Sequence, residues 1–594
     1  MSTHKNSLQI QIEQLKRVIL LKPMKRRYTA KLNVDRAYKI NKNSQTKTYS
    51  MQIIKGKLVD IIQRDIYNAI VILEKGKIQN IQRTDEEFDK YLLPGFIDAH
   101  VHIESSMLKP SEFARMAVKH GTVATVSDPH EIANVCGLEG IFYMIRESEN
   151  VPVKIHFTAP SCVPATEFEN TGHRLSAKEI GILMQEPKIV ALGEMMNYPG
   201  VLNDEPEVYA KIKAAFDTNK PVDGHAPELG GENLNKYIRA GISTDHECTR
   251  LEEAMEKIEA GMHILIREGS AAQNFDILHP LITKYPGSCM FCTDDCHPDY
   301  LEKGHINRLV SRAIAAGHDL FDVLRVSSCN ASKHYMINAG MLQPGDPADF
   351  IIVNSLDKMD VVATYIGGKP VFENGKVLFQ ASVSKPINNF KLTKKIKSEQ
   401  LEVYSDADLF KIIQAFDGSL FTDVLEYRLP KKNGEVFADP ANGINKIAVI
   451  NRYTEDPVPS IGFIKGFDIK KGAIASTVAH DSHNIIAIGT DDVALARVIN
   501  KLIESKGGLA LSDGVNMCHL PLSIAGLISD EQASIVIETY EKLNEKIHQI
   551  GCNLNSAFMT MSFMALLVIP RLKISDKGLF DVSAFKLTVL EKDT

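Results

Sequence analysis

The chain has 594 residues, 44% of them hydrophobic and 24% charged, which is too long for one core and ordinary for a globular protein, so two to four domains are expected. Its net charge of -6 offers nothing to attract nucleic acid, and no run of about 18 apolar residues occurs to span a membrane, so neither is expected as a partner. Nine scattered cysteines do not suggest a disulfide framework; a reducing, cytoplasmic compartment suits them better.

Residues 1–50 hold twelve Lys or Arg against two acids, Glu13 and Asp35. This basic stretch is expected to be an accessory extension without catalytic residues; a transit peptide is the competing reading. A strand pattern begins at Met51. Ala69 to Leu73 followed by Lys75-Gly76-Lys77-Ile78 predicts a hairpin. A similar block returns at Asp349 to Val353 and Val361 to Ile366, with Gly367-Gly368 as a turn. Together, residues 51–93 and 341–385 are expected to form a small β-sandwich built from both ends of the region they flank.

That region, 94–340, is close to the roughly 250 residues of an eight-fold β/α barrel. Eight apolar runs alternate with amphipathic stretches within it: Phe96-Ile97, Thr122 to Val126, Val153 to Phe157, Ile189 to Leu192, Pro221-Val222, Gly241 to Thr244, His263 to Ile266 and Cys289 to Cys292. The last of these, with Cys296-His297 after it, looks like half a zinc site. No second Cys pair follows at suitable spacing, and strand alternation puts Cys289 and Cys292 on opposite faces, so buried or lining thiols are expected. Beyond residue 385 the Gly- and Ser-containing stretches around 462–472 and 507–508 predict a further α/β domain over 386–594.

The chemistry gathers where the eight runs end. The first leads into His100-Val101-His102, and residues two apart on a strand share a face, so both imidazoles can reach one metal ion. Asp128-Pro129-His130-Glu131, Glu194, His225, Asp245-His246-Glu247, Arg267-Glu268 and Asp294-Asp295 follow later runs. Active sites of β/α barrels lie at the C-terminal ends of their strands. Neutral His nitrogens and one shared carboxylate are what a pair of metal ions needs.

The stretches PGFIDAHVHIESSM (94–107), DPHEIAN (128–134), LGEMMNYPGV (192–201), DGHAP (223–227), DHEC (245–248), REGSA (267–271) and FCTDD (291–295) resemble the amidohydrolase superfamily and, more closely, the bacterial adenine deaminases. GAIASTVAHDSHNII (472–486) and LPLSIAGL (520–527) extend the resemblance over about residues 51–594. It implies metal ligation by His100, His102, Glu194, His225, His246 and Asp294, with Glu194 bridging two divalent ions: manganese or iron first, zinc as an alternative. Lys154 is the rival for the bridging role. The ions would lower the pKa of a bridging water toward about 7, and the resulting hydroxide would attack adenine. Asp294 would carry the proton to the departing amine, with Asp295 as fallback, and Glu268 or Glu131 would protonate the ring.

Asp128, His130, Arg267 and Ser270 are expected around the substrate. Asp128-Pro129 also reads as a turn and cap, and Arg267 with Glu268 as an internal ion pair holding a loop. His480, Asp481 and His483 have the spacing of a metal triplet, but a loop packed near the barrel mouth is the preferred reading. Cys296 stands where many relatives carry a basic residue. The function implied is hydrolysis of adenine to hypoxanthine and ammonia, by a homo-oligomer as is usual at this size. A cyclic amidohydrolase or another aminopurine deaminase is the runner-up, and a silent barrel with a binding role would lack a metal ligand.

Overall fold

The computed structural model describes residues 51–270 and 272–592; the basic extension expected over 1–50 lies outside them. Strands β1 (Gln52–Asp60), β2 (Asp65–Glu74), β3 (Lys77–Arg83) and β4 (Tyr91–Pro94) open the described chain. β2 and β3 pair as a hairpin whose turn takes Lys75 and Gly76 into positive φ.

Eight parallel strands follow, each joined to the next by helical segments: β5 (Phe96–Val101), β6 (Thr122–Ser127), β7 (Lys154–Ala159), β8 (Ile189–Met195), β9 (Val222–Gly224), β10 (Thr244–Asp245), β11 (His263–Arg267) and β12 (Cys289–Cys292). Each overlaps one of the eight apolar runs, β9 and β10 by a single residue. Parallel strands covered on both faces must be apolar throughout, and nearly every residue here is buried. β5 to β9 form one five-stranded sheet and β10 to β12 a three-stranded one. The sheet curls: Val222 bridges Ile242 at one seam, while His102 and Asp294 backbones bond β5 to the end of β12 at the other. One buried cluster therefore draws Ile97, Val126, Val190, Leu265 and Met290 from five different strands.

The chain then returns to its start. β13 (Phe350–Val353) pairs antiparallel with β4, and β14 (Val361–Ile366), β15 (Lys369–Glu373) and β16 (Lys376–Val377) complete a single eight-stranded sheet in the order β16-β15-β14-β13-β4-β1-β2-β3. Lys154, the rival bridging residue, begins β7 and so sits at the N-terminal end of its strand, where its amine reaches Asp349 and the carbonyl of Asn338.

The last third of the chain builds a second eight-stranded sheet, with the helix Asp492–Ser505 packed on its apolar face and capped by Asp491, which accepts the Ala494 N–H. Two adjacent antiparallel strands of this sheet, Ala473–Ser476 and Ile485–Gly489, are joined by a buried loop that carries His480, Asp481 and His483. This region is bonded to the parallel-strand region at several points: Ser529 N–H to the Met107 carbonyl (2.9 Å), Asn484 to the Asn170 carbonyl (2.9 Å) and Tyr540 hydroxyl to His297 Nδ1 (2.6 Å). All nine cysteines are free thiols; Cys289 and Cys292 belong to different buried clusters, as opposite faces require. Among the described residues no helix is long and apolar enough to cross a membrane.

Candidate metal centre and substrate pocket

The end of each parallel strand delivers its polar residue to one buried point. His100 is the penultimate residue of β5 and His102 follows the strand, Glu194 lies near the end of β8, and His225, His246 and Asp294 come just after β9, β10 and β12. The two carboxylate oxygens of Glu194 divide these ligands. Oε1 lies 3.3 Å from His102 Nε2 and 3.8 Å from His100 Nε2, and those two nitrogens are 3.0 and 3.3 Å from Asp294 Oδ1. Oε2 faces the other pair, 2.7 Å from His225 Nδ1 and 3.2 Å from His246 Nε2. Spacings near 3 Å between hard and borderline donors suit ligands shared around a pair of divalent ions. His102 Nδ1 donates to the Asp128 carbonyl at 3.0 Å, which leaves its Nε2 lone pair for the centre. His100 Nε2 and His225 Nε2 are buried without a hydrogen-bond partner. Buried nitrogens left unpaired at such a cost fit a centre that takes cations.

Burial works against charge on Glu194, but its contacts with His102, His225 and His246 outweigh this and hold the carboxyl well below the usual range. Asp294 is likewise held low: burial opposes, and the Arg267 guanidinium and the histidines prevail. Asp294 takes positive φ, which turns its side chain back toward β5. Behind the ligands a second layer fixes them. Asp128 Oδ2 accepts the Glu194 N–H at 3.1 Å from the space that a side chain at Gly193 would fill, since a Cβ there would meet that oxygen at 2.2 Å. Asp245 accepts the Ala226 N–H at 2.9 Å and the Lys257 ammonium at 2.8 Å, tying the residue after His225 to the residue before His246.

The cavity over this centre is lined by His102, His130, Glu131, Glu194, Met196, His225, His246, Glu247, Arg267, Asp294 and Asp295, and on the other side by Leu420, His480, Asp481, Phe563 and Leu566. Of the remaining sequence-derived positions, His130 and Glu131 are walls, with His130 Nδ1 3.3 Å from Glu194 Oε1. Arg267 faces the cavity but is engaged by Glu247 and by Asp294 Oδ2 at 2.7 Å, the ion-pair geometry. Asp128 stands behind Glu194, Ser270 accepts the His297 N–H at 2.8 Å, and Glu268 turns away to pair with Arg312; these three are not walls of the cavity. Asp295 is a wall and accepts the Ser105 hydroxyl at 2.5 Å. Glu247, which the sequence marks only as the strand-end neighbour of His246, is a wall that pairs with Arg267, and Leu420, Phe563 and Leu566 carry no local signal.

Two family models match: the amidohydrolase family over residues 91–371 and the adenine deaminase C-terminal domain over 419–586. Among curated proteins the chain is 48% identical to an adenine deaminase of Methanosarcina barkeri over 91% of this chain and 99% of that one. It is 50% identical to an adenine deaminase of Sulfurovum sp. and 48% identical to one of Salinibacter ruber, each over 90% of this chain and 98% of the relative. Identity at that level, spread over nearly the whole of each relative and over both halves of the site just described, makes this chain a member of the adenine deaminase family of amidohydrolases.

Proposed function

We propose that the chain hydrolyses adenine: the C6–amine bond breaks, water supplies the new C6 oxygen, and hypoxanthine and ammonia leave. The observation that carries this reading is Glu194 set between two histidine pairs in a chain of this family. His100, His102, Asp294 and Glu194 Oε1 would hold one divalent ion, and His225, His246 and Glu194 Oε2 the other; manganese or iron suits the mixed N/O donors, as does zinc. Such ions, when bound, supply an electrophile and bring a water's pKa toward about 7.

The protein's own part is to position and to move protons. Asp294 Oδ1 faces the centre and serves as the station that takes the water proton and returns it to the departing amine, while Arg267 fixes its other oxygen. Glu268 lies outside the cavity, and Glu131 borders it with its two oxygens engaged by His480 and His483. The apolar surfaces of Met196, Leu420, Phe563 and Leu566 keep bulk water from the charged groups.

We read the curled parallel sheet as an eight-fold β/α barrel over 94–340, the flanking sheet (51–93 with 341–385) as the small β-sandwich beside it, and 386–594 as the adenine-deaminase-type C-terminal domain. Free thiols throughout suit a cytoplasmic enzyme, and a symmetric homo-oligomer is expected by light scattering. The test is the ultraviolet spectrum of adenine incubated with metal-reconstituted protein beside a His100→Ala, His102→Ala control. Conversion to hypoxanthine by the wild type alone supports the reading; a fully metallated chain that leaves adenine unchanged overturns it.

A further inference from the structure

The ligand cluster grips only the reacting side of a substrate. A purine carries further ring nitrogens that are costly to bury unpaired, and the far wall of the cavity comes from the C-terminal region. On that wall two buried polar atoms lack a hydrogen-bond partner among the described residues, Asp481 Oδ2 and His480 Nε2, and of the two only the imidazole nitrogen belongs to a flat ring that can meet a heterocycle edge-on. Its ring is held in place from every other side. Nδ1 lies 2.6 Å from Glu131 Oε1, and the ring stacks on Phe563 with centroids 4.7 Å apart and planes at 15°. Glu131 is itself fixed. Its other oxygen contacts His483 Nε2, and His483 Nδ1 accepts the Ala479 N–H at 3.2 Å, so the His483 proton sits on the nitrogen facing Glu131. With Glu131 a carboxylate, Nδ1 of His480 carries a proton toward it, which leaves Nε2 as the ring nitrogen of this lining residue without a partner.

We propose that His480 is a substrate contact supplied by the C-terminal region, its Nε2 hydrogen-bonding a ring nitrogen of the purine, with Glu131 and His483 as positioning residues and Phe563 as the plane that fixes the imidazole. This rests on the adenine reading above and adds to it the residue that recognises the ring.

Asparagine places an amide where Nδ1 stands, and glutamine one where Nε2 stands, so the pair separates a contact to substrate from a contact to Glu131. In metal-loaded protein, His480→Asn is expected to raise the calorimetric Kd for hypoxanthine and the KM for adenine about tenfold, the scale of one lost hydrogen bond. His480→Gln should stay within about threefold of wild type on the same scale, and both should keep the wild-type metal content. The opposite order, with asparagine tolerated and glutamine not, would overturn the proposal, as would loss of metal in both variants, which would make His480 a ligand. A measurement without variants guards against misfolding: exchange of the His480 C2 hydrogen, followed by peptide mass in the wild type, should slow when hypoxanthine is added, and an unchanged rate counts against the contact. A wild type that neither converts adenine nor binds hypoxanthine would sink the adenine reading and this contact together; one that does both, matched by His480→Asn, sinks the contact alone.

Discussion

Each half of the site is pinned from behind by a fully buried lysine, and the two lysines live in opposite electrostatic worlds. On the parallel-strand side Lys257 donates to Asp245 (2.8 Å), Glu253 (2.7 Å) and the Ala226 carbonyl (2.7 Å). Burial weakens its hold on a proton, but the two carboxylates more than reverse this and raise its pKa well above the usual lysine range. On the C-terminal side Lys573 donates to the carbonyls of Leu420 (2.7 Å) and Phe563 (3.0 Å), both wall residues, with no carboxylate among its partners in the described residues. Burial pushes it down to about 7. The ligand side is built to fix charge, whereas the wall is held by dipoles and apolar packing. A cation centre needs the first, and a flat heterocycle suits the second.

The sharpest way to break the charged half is Glu194→Gln. Metal affinity should fall by more than the about 10- to 100-fold typical of losing an outer-layer partner, and deamination with it, as read by metal analysis and turnover. Asp294→Asn should lower kcat by about 10²- to 10⁴-fold, the range for losing a general acid–base group. Next come the lysines. Lys257→Met leaves Asp245 and Glu253 buried and uncompensated, and should cost about 3–5 kcal/mol in urea unfolding. Lys573→Met removes a buried amine that has no counter-charge, and should be close to neutral at pH 7, within about 1 kcal/mol.

The same pair differs in pH dependence. Lys573 falls from its usual 10.5 to about 7 on folding, so between those values the unfolded chain binds the extra proton and stability rises with pH, at up to about 1.4 kcal/mol per unit for one group. The rise should be absent in Lys573→Met and appear in full as the difference between wild type and that variant. For Lys257, raised on folding, the contribution is present throughout that window and is lost only as pH climbs through its folded value. As a control remote from both halves, Ser176→Ala removes the capping box of the helix Ala177–Leu183 and should cost about 1 kcal/mol at any of these pH values.

The two halves also differ in how far they could be read from sequence. A fully buried parallel strand announces itself as an apolar run, and its C-terminal end marks where polar side chains gather, so His100, His102, Glu194, His225, His246 and Asp294 fall among the strand-end residues; the resemblance to the amidohydrolases is what singles these six out as ligands. Lys154 could be weighed against Glu194 on the same logic, because it lies at the other end of its strand. The wall gives a weaker sign. His480, Asp481 and His483 mark a loop at the mouth, but Leu420, Phe563 and Leu566 join it only because distant segments of the C-terminal region converge over the cavity, and nothing near Glu268 announces that Arg312 will draw it away. Glu247 was within reach: it adjoins His246, and Arg267 was already open to an ion pair.

The sheet that takes strands from both flanks has a kinetic consequence. Leu93 pairs with Ile351, so the ladder between β4 and β13 cannot close until the whole parallel-strand region between them has been compacted. Such long-range pairing makes loop closure the expensive step and folding correspondingly slow. The ligand strands must then collapse before their two ends are clasped. A weakened clasp at Phe350 would show itself first in the refolding rate and only afterwards in the finished site.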